Sequence, residues 1–255
     1  MEPTTINNFT PTEFKDSKNS NRLKYDINLN SIEFETVINE LVRDYRIDEI
    51  VETGTFNGLG STSVFAKTGK YVFSIECNKS NYETAVANLR NYDNVCVIHG
   101  LSLPRRRLID FLLFESFKIE TTYDSDYPKS FYMREINQQV VVENALDIFC
   151  NNNRPQLVFL DSAGGIGYAE FLDFMAYENN FDTQLDHEKG RVINQKYKIL
   201  VLDDISHIKH KRSVEHLENQ GFIVNKSKEN RFAWCDLSKG KLKKEKNGEE
   251  NILSE

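Results

Sequence analysis

The sequence predicts an α/β fold: a mostly parallel sheet with helices on both faces. Three observations carry that expectation. Short, near-continuous apolar runs such as Leu157-Val158-Phe159-Leu160 and Ile199-Leu200-Val201-Leu202 have the composition of strands covered on both sides. Segments with helical spacing separate the first three such runs, the βαβαβ order that right-handed crossovers produce. Several runs also finish in an acid, and the carboxyl ends of parallel strands are where ligands gather.

The chain has 255 residues, enough for one large domain with an insertion. Residues 1–30 are polar and irregular, an arm whose Phe9, Phe14, Leu23 and Tyr25 could drape over the domain or its mouth. The domain proper is placed at 31–237. Phe34, Val37, Ile38, Leu41 and Tyr45 follow helical spacing, with Ser31 as N-cap. A strand from Ile50 ends at Glu52, a glycine-rich loop follows, and a short helix runs through Val64 and Phe65. Tyr71–Ile75 is the second strand and ends at Glu76. Ser80 could cap the next helix, which carries Tyr82, Ala85, Val86 and Leu89 on one face. Val95–Ile98 is the third strand.

Residues 103–136 exceed what one crossover needs and are read as an insertion. A helix is expected across Leu108, Phe111, Leu112 and Phe114, then a polar loop bearing Tyr123, Tyr127 and Tyr132, with the crossover helix resuming at Gln138. Strands four and five end at Asp161 and at Asp203-Asp204. A helix from about Lys209 to Asn219, a strand at Phe222–Val224 and another at Phe232–Leu237 follow, the last two forming an antiparallel hairpin across 226–231. Residues 238–255, rich in Lys and Glu, are expected to be a solvated, disordered tail.

The loop Glu52-Thr53-Gly54-Thr55-Phe56-Asn57-Gly58-Leu59-Gly60-Ser61-Thr62 carries the most chemistry. Glycines let backbone N–H groups approach a ligand, and Ser61 and Thr62 can cap the helix behind them. The spacing is neither G-x-G-x-x-G nor a P-loop, which needs a Lys. Glu52-x-Gly54-x-x-x-Gly58 resembles the first motif of class I S-adenosylmethionine (AdoMet) dependent methyltransferases. Together with Leu160-Asp161-Ser162 and Leu202-Asp203-Asp204-x-x-His207 it is similar to the small-molecule O-methyltransferase branch, macrocin-type and, more distantly, catechol-type, over roughly residues 47–237. The resemblance implies a Rossmann-like class I methyltransferase sheet ending in an antiparallel hairpin. It implies that the acid Glu52 and the loop, through Gly54, Thr55, Gly58 and Ser61, hold the amino-acid end of AdoMet. Glu76 would take the ribose hydroxyls, Cys77 and Ser102 would flank the adenine, and Asp161 would stand between cofactor and acceptor.

Methyl transfer to a hydroxyl needs in-line positioning and a way to remove the acceptor's proton. Asp161, Asp203 and Asp204 offer hard oxygen ligands for Mg²⁺ or another divalent ion, while His207 or His210 could instead serve as general base, His207 having the better claim because it lies three residues past the strand end. The plainer reading is that Asp203 and Asp204 cap the following helix. His210 and His216 are expected on the surface of that helix, beside Lys209, Lys211 and Arg212. Arg105–Arg107 would hold an anionic acceptor or simply be solvated.

The formal net charge of -7 leaves no basic footprint for nucleic acid. The four cysteines, Cys77, Cys96, Cys150 and Cys235, are widely spaced, as reduced buried thiols are. No signal-peptide pattern or membrane-length apolar run is present, so a cytoplasmic protein without a membrane partner is expected. The expected partner is a small hydroxylated acceptor such as a sugar; a homo-oligomer is compatible with the sequence. Two other functions remain open here: an NAD-dependent oxidoreductase, and a non-catalytic AdoMet-binding or partner-binding domain.

Overall fold

The computed structural model describes residues 31–115, 129–152, 155–182 and 199–237. The expectations for the arm, for Tyr123 and Tyr127, and for the tail fall outside them.

Seven strands form one sheet: β1 (Glu49–Thr53), β2 (Tyr71–Glu76), β3 (Val95–His99), β4 (Leu157–Leu160), β5 (Ile199–Asp203), β6 (Val224–Lys226) and β7 (Phe232–Asp236). Their order is β3-β2-β1-β4-β5-β7-β6. The first five are parallel, and β7 runs antiparallel to both β5 and β6. This is the mostly parallel sheet with a C-terminal antiparallel hairpin that the sequence predicts.

Helices α1 (Ile32–Tyr45) and α2 (Ser61–Lys67) pack on one face. On the other lie α4 (Arg105–Asp110), α5 (Lys129–Ile136), α6 (Ala145–Asn152), α7 (Gly165–Asp182) and α8 (Lys211–Asn219), while α3 (Lys79–Leu89) joins β2 to β3. Alternation along each strand feeds two cores. Ile50, Leu157, Phe159, Ile199 and Val201 meet Phe34, Ile38 and Phe65, whereas Val51, Val158, Leu160, Leu200 and Leu202 face α4–α8. The first core is knit by rings: Phe34 lies 5.8 Å from Phe65, 5.6 Å from Phe159 and 5.1 Å from Phe232. Burying each such ring contributes roughly 1.5–3 kcal/mol.

Several local expectations are corrected. Ser31 does cap α1, accepting from Phe34 N at 3.2 Å. Helix α3, however, is capped by Asn78, whose Oδ1 accepts from Asn81 N at 3.0 Å, two residues before Ser80. The hydroxyls of Ser61 and Thr62 do not cap α2; they reach back to Glu52. Tyr132 is not on a polar loop but buried on α5. The crossover helix starts at Ala145 and not at Gln138, because the irregular segment 138–144 is tied beside the end of β3 by a single parallel bridge between Val142 and Gly100, with Leu101 N donating to Val142 O at 2.9 Å. The first strand of the hairpin, β6, begins at Val224, two residues later than expected. Among the described residues no helix is long and apolar enough to cross a membrane.

Candidate active site

Strand β1 has β2 on one side and β4 on the other, so the chain reverses direction across the sheet between them. A crevice beyond the carboxyl ends of strands opens at such a switch point. Gly54 lies at its floor with φ +80°, and its N–H donates to Ile75 O at 2.9 Å. A Cβ there would come within 2.6 Å of the Asp161 carbonyl oxygen, so glycine is what lets the β1 and β4 loops close on each other. Gly58, φ +77°, is set by packing instead: a Cβ would meet Leu89 of α3 at 2.7 Å.

Glu52 is fully buried, unlike a residue that meets the ligand directly. One carboxylate oxygen accepts from Ser61 Oγ; the other accepts from Thr62 Oγ1 and Ser74 Oγ, each at 2.6 Å. Burial pushes its carboxyl up to about 7, against those three hydroxyl bonds. Thr55 is likewise turned inward, its hydroxyl paired with Ser74. Glu52, Thr55 and Ser61 therefore fix the loop's shape from behind.

Glu76 closes β2 with its carboxylate folded onto the loop. Oε2 accepts from Phe56 N at 2.8 Å and Oε1 from Asn78 N at 2.7 Å. Burial raises this group to about 7 as well, opposed by those N–H groups, with Glu135 nearby adding to the rise. Half-buried Cys77 follows, its thiol pushed up by burial. His99, at the end of β3, stacks on Tyr82 at 5.1 Å and approaches Cys77 O at 3.2 Å. The insertion is tied to this corner. Asn78 Nδ2 donates to Glu135 of α5 at 2.7 Å, while Arg105 reaches the Ile136 carbonyl and donates to Glu143 at 2.9 Å.

Glu170 of α7, a residue the sequence does not single out, links three strand ends. Thr53 Oγ1 and Ser162 Oγ donate to it at 2.8 and 2.6 Å, and Ser102 bonds to it as well. Thr53 Oγ1 in turn accepts from Asp161 N at 3.0 Å. Burial raises the Glu170 carboxyl, with the three hydroxyls opposing. Ser102 thus faces this network from the bend between β3 and α4.

Asp161, Asp203 and Asp204 meet at Lys209. Its Nζ bonds Asp161 Oδ1 and lies 3.3 Å from Asp203 Oδ2 and 3.2 Å from Asp204 Oδ2. Arg231 grips the same pair: Nε and Nη2 each donate to Asp203 at 3.0 Å, and Nη1 meets Asp204 at 3.0 Å. Asp204 adopts φ +50°, the left-handed region, which turns its carboxylate back toward both cations. Burial alone would lower the Lys209 ammonium, yet the three carboxylates hold it well above its usual range. Burial lifts Asp161 well above the ordinary carboxylate range against the pull of Lys209. Asp203 is more deeply buried, which would raise it, yet Lys209 and Arg231 hold it at about 2.

Lys209 and His210 are therefore not surface residues. His210 is fully buried, held at about 3 first by burial and then by Lys209, so it is neutral, with Nδ1 3.0 Å from Ser213 Oγ. The signal for this burial is faint: Ile205 and Ile208 flank the turn with apolar spacing, but a basic run looks solvated. His207 is half-buried on the turn that carries Asp204, its N–H donating to Asp204 O at 3.0 Å. His216 packs edge-on against Phe171 at 5.4 Å. Arg105, Arg106 and Arg107 pair with Glu143, Asp110 and Asp173, so the arginine run serves the fold.

The divalent-ion expectation does not fit this arrangement. Among the described residues no group of three or more His, Cys, Asp or Glu is set to hold a metal ion, because the oxygens that would gather one are spent on an ammonium and a guanidinium.

No family model matches the chain, and no curated protein does. Solved structures similar to it include cofactor-bound Rv0187 from MTB, with 14% identity over 82% of this chain and 81% of that one, TM-score 0.46. A methyltransferase from Geobacter sulfurreducens has 13% identity over 82% and 80%, TM-score 0.44. The O-methyltransferase TomG from Streptomyces achromogenes, solved with SAM, has 15% identity over 81% and 80%, TM-score 0.38.

Proposed function

We propose that the chain is an AdoMet-dependent methyltransferase that acts on a hydroxyl of a small polar acceptor. One observation carries this reading. The switch-point crevice joins a side-chain-free Gly54 loop to Glu76 and Asp161 in a lining whose acids outnumber its cations. A cationic cofactor that carries a ribose suits such a lining, and the space a Cβ at Gly54 would fill suits close backbone approach.

Gly54 and its neighbours in the loop would hold the amino-acid end of AdoMet, shaped by Glu52 from beneath. Backbone N–H groups of Phe56, Asn78 and Cys77 take three of the four lone pairs of the Glu76 carboxylate, and the one left supports acceptance from a ribose hydroxyl. When bound, AdoMet supplies an electrophilic methyl on a positively charged sulfur. What remains for the chain is to orient the acceptor hydroxyl and take its proton as the new C–O bond forms. Asp161, with its affinity for a proton raised by burial, is suited to that task, and His207 on the adjoining turn is the second candidate. Helix α5, packed over the β4 loop through Tyr132, would help exclude water.

The NAD alternative is disfavoured by charge. A pyrophosphate would enter beside Glu52 and Glu76, and the cations of this cluster, Lys209 and Arg231, are already held by carboxylates. Calorimetric titration of the purified chain with AdoMet and with NAD separates the readings. AdoMet should bind and NAD should not, and Glu76→Ala should weaken AdoMet by at least about tenfold, the equivalent of one lost hydrogen-bonding pair. NAD binding without AdoMet binding overturns the proposal.

A further inference from the structure

The carboxylates that terminate β4 and β5 have the arrangement of a divalent-cation site, with a side chain at its centre. Lys209 Nζ meets one oxygen from each of Asp161, Asp203 and Asp204, and the lysine is almost entirely buried. An ammonium has three N–H donors, so each carboxylate takes one and none is left over. Arg231 closes the other side of Asp203 and Asp204. Three carboxyl groups thus meet two fixed positive charges, and a buried cation bound this way is costly to displace.

We propose that Lys209 is a built-in cation standing where Asp161, Asp203 and Asp204 would otherwise gather a divalent ion, so that the site works without a metal. The inference rests on the methyltransferase reading and names how that same site is held together. Lys209 acts as a positioning residue: it binds the three carboxylates and, with its donors committed, offers no open coordination position to the acceptor. The acceptor's proton consequently passes to a carboxylate of the cluster, and the acceptor oxygen is not ionised by direct binding to a cation. Asp204 is the most open of the three acids, Asp161 is next, and Asp203 is almost fully buried.

Removing the ammonium should expose the latent ion site, an effect that loss of a merely structural lysine would not produce. The test is Mn²⁺ titration of the full chain, followed by the loss of the free-ion paramagnetic resonance signal, for wild type, Lys209→Ala, Lys209→Met and Asp204→Asn. Wild type should show no one-to-one Mn²⁺ binding up to about 1 mM, while Lys209→Ala should bind one ion at least about tenfold more tightly, since Mn²⁺ favours such oxygen sets. Adding Asp204→Asn to Lys209→Ala should remove that gain.

One-to-one binding by wild type that Asp204→Asn abolishes overturns the proposal. So does a folded Lys209→Ala or Lys209→Met chain that gains no ion. If neither lysine variant folds, the wild-type titration decides, absence of binding supporting the built-in cation and one-to-one binding refuting it. AdoMet calorimetry on wild type in chelator is run in parallel. AdoMet binding with a wild-type Mn²⁺ site sinks only the Lys209 inference; no AdoMet binding with the Mn²⁺ results as expected sinks only the methyltransferase reading.

Discussion

Glu52 is placed where burial and hydrogen bonding oppose each other, and burial wins: its carboxyl rises from 4.5 to about 7 despite three hydroxyl donors. The sign of the consequence follows from proton counting. Between about pH 4.5 and about pH 7 the folded chain keeps a proton that the unfolded chain releases, so stability falls as pH rises through that window and levels off above it. Glu76, raised to about 7 by the same burial, adds to the fall. Each group contributes roughly 3 kcal/mol across the full window. Glu52→Gln should remove one group's share, so urea unfolding at a series of pH values should give a shallower decline than wild type. An unchanged decline would mean that Glu52 is already ionised in the fold at low pH. Asp203 works in the opposite direction: held at about 2, it contributes stability above the unfolded value of 3.8 that is lost as pH falls toward 2.

Helix α5 and the loop between β4 and α7 behave as one unit, because Gly164 lies directly under the Tyr132 hydroxyl. Gly164 has φ +54°, and a Cβ there would run into Tyr132 Oη and lie 2.8 Å from its Cζ. Gly164→Ala should cost about 1–3 kcal/mol and speed amide exchange across residues 129–136. Gly69→Ala is the matched control, since Gly69 has φ +71° but open space around its Cα; it should cost about 1 kcal/mol and leave α5 protected. Equal exchange in the two variants would uncouple α5 from the loop. The parallel strands were legible in the sequence because both their faces are buried, leaving runs such as Leu157–Leu160 with no polar interruption. Helix α5 was not, since its face toward the core is short and its tyrosine reads equally well as a loop residue. Lys209 escaped for a related reason: a lysine in a basic run is ordinarily solvated, and only the three-dimensional meeting of Asp161, Asp203 and Asp204 makes its burial favourable. The glycine loop and the acids at the strand ends were legible, whereas the inward turn of Glu52, Thr55 and Ser61 depends on Ser74, a neighbour from another strand.

The molecule as a whole concentrates its ionisable interior on one edge of the sheet. Glu52, Glu76, Glu170, Asp203 and Lys209 are all buried near strand ends, with half-buried Asp161 among them, while the two apolar cores on either face are lined by strand side chains such as Ile50, Val51, Phe159 and Leu160. An edge so rich in buried carboxylates costs stability, which the Phe34–Phe65–Phe159–Phe232 cluster on the far side of β1 and β4 helps to offset. Such an arrangement is expected of a fold that shapes a cationic ligand site at its switch point and stores its stability elsewhere. The most direct check is a crystal structure of the full chain soaked with S-adenosylhomocysteine, the product that the proposed reaction leaves. The account predicts density beyond β1 and β2, with a ribose hydroxyl on Glu76, the amino-acid end along the Gly54 loop and the sulfur turned toward Asp161. Density on any other edge of the sheet, or a ribose out of reach of Glu76, would contradict it.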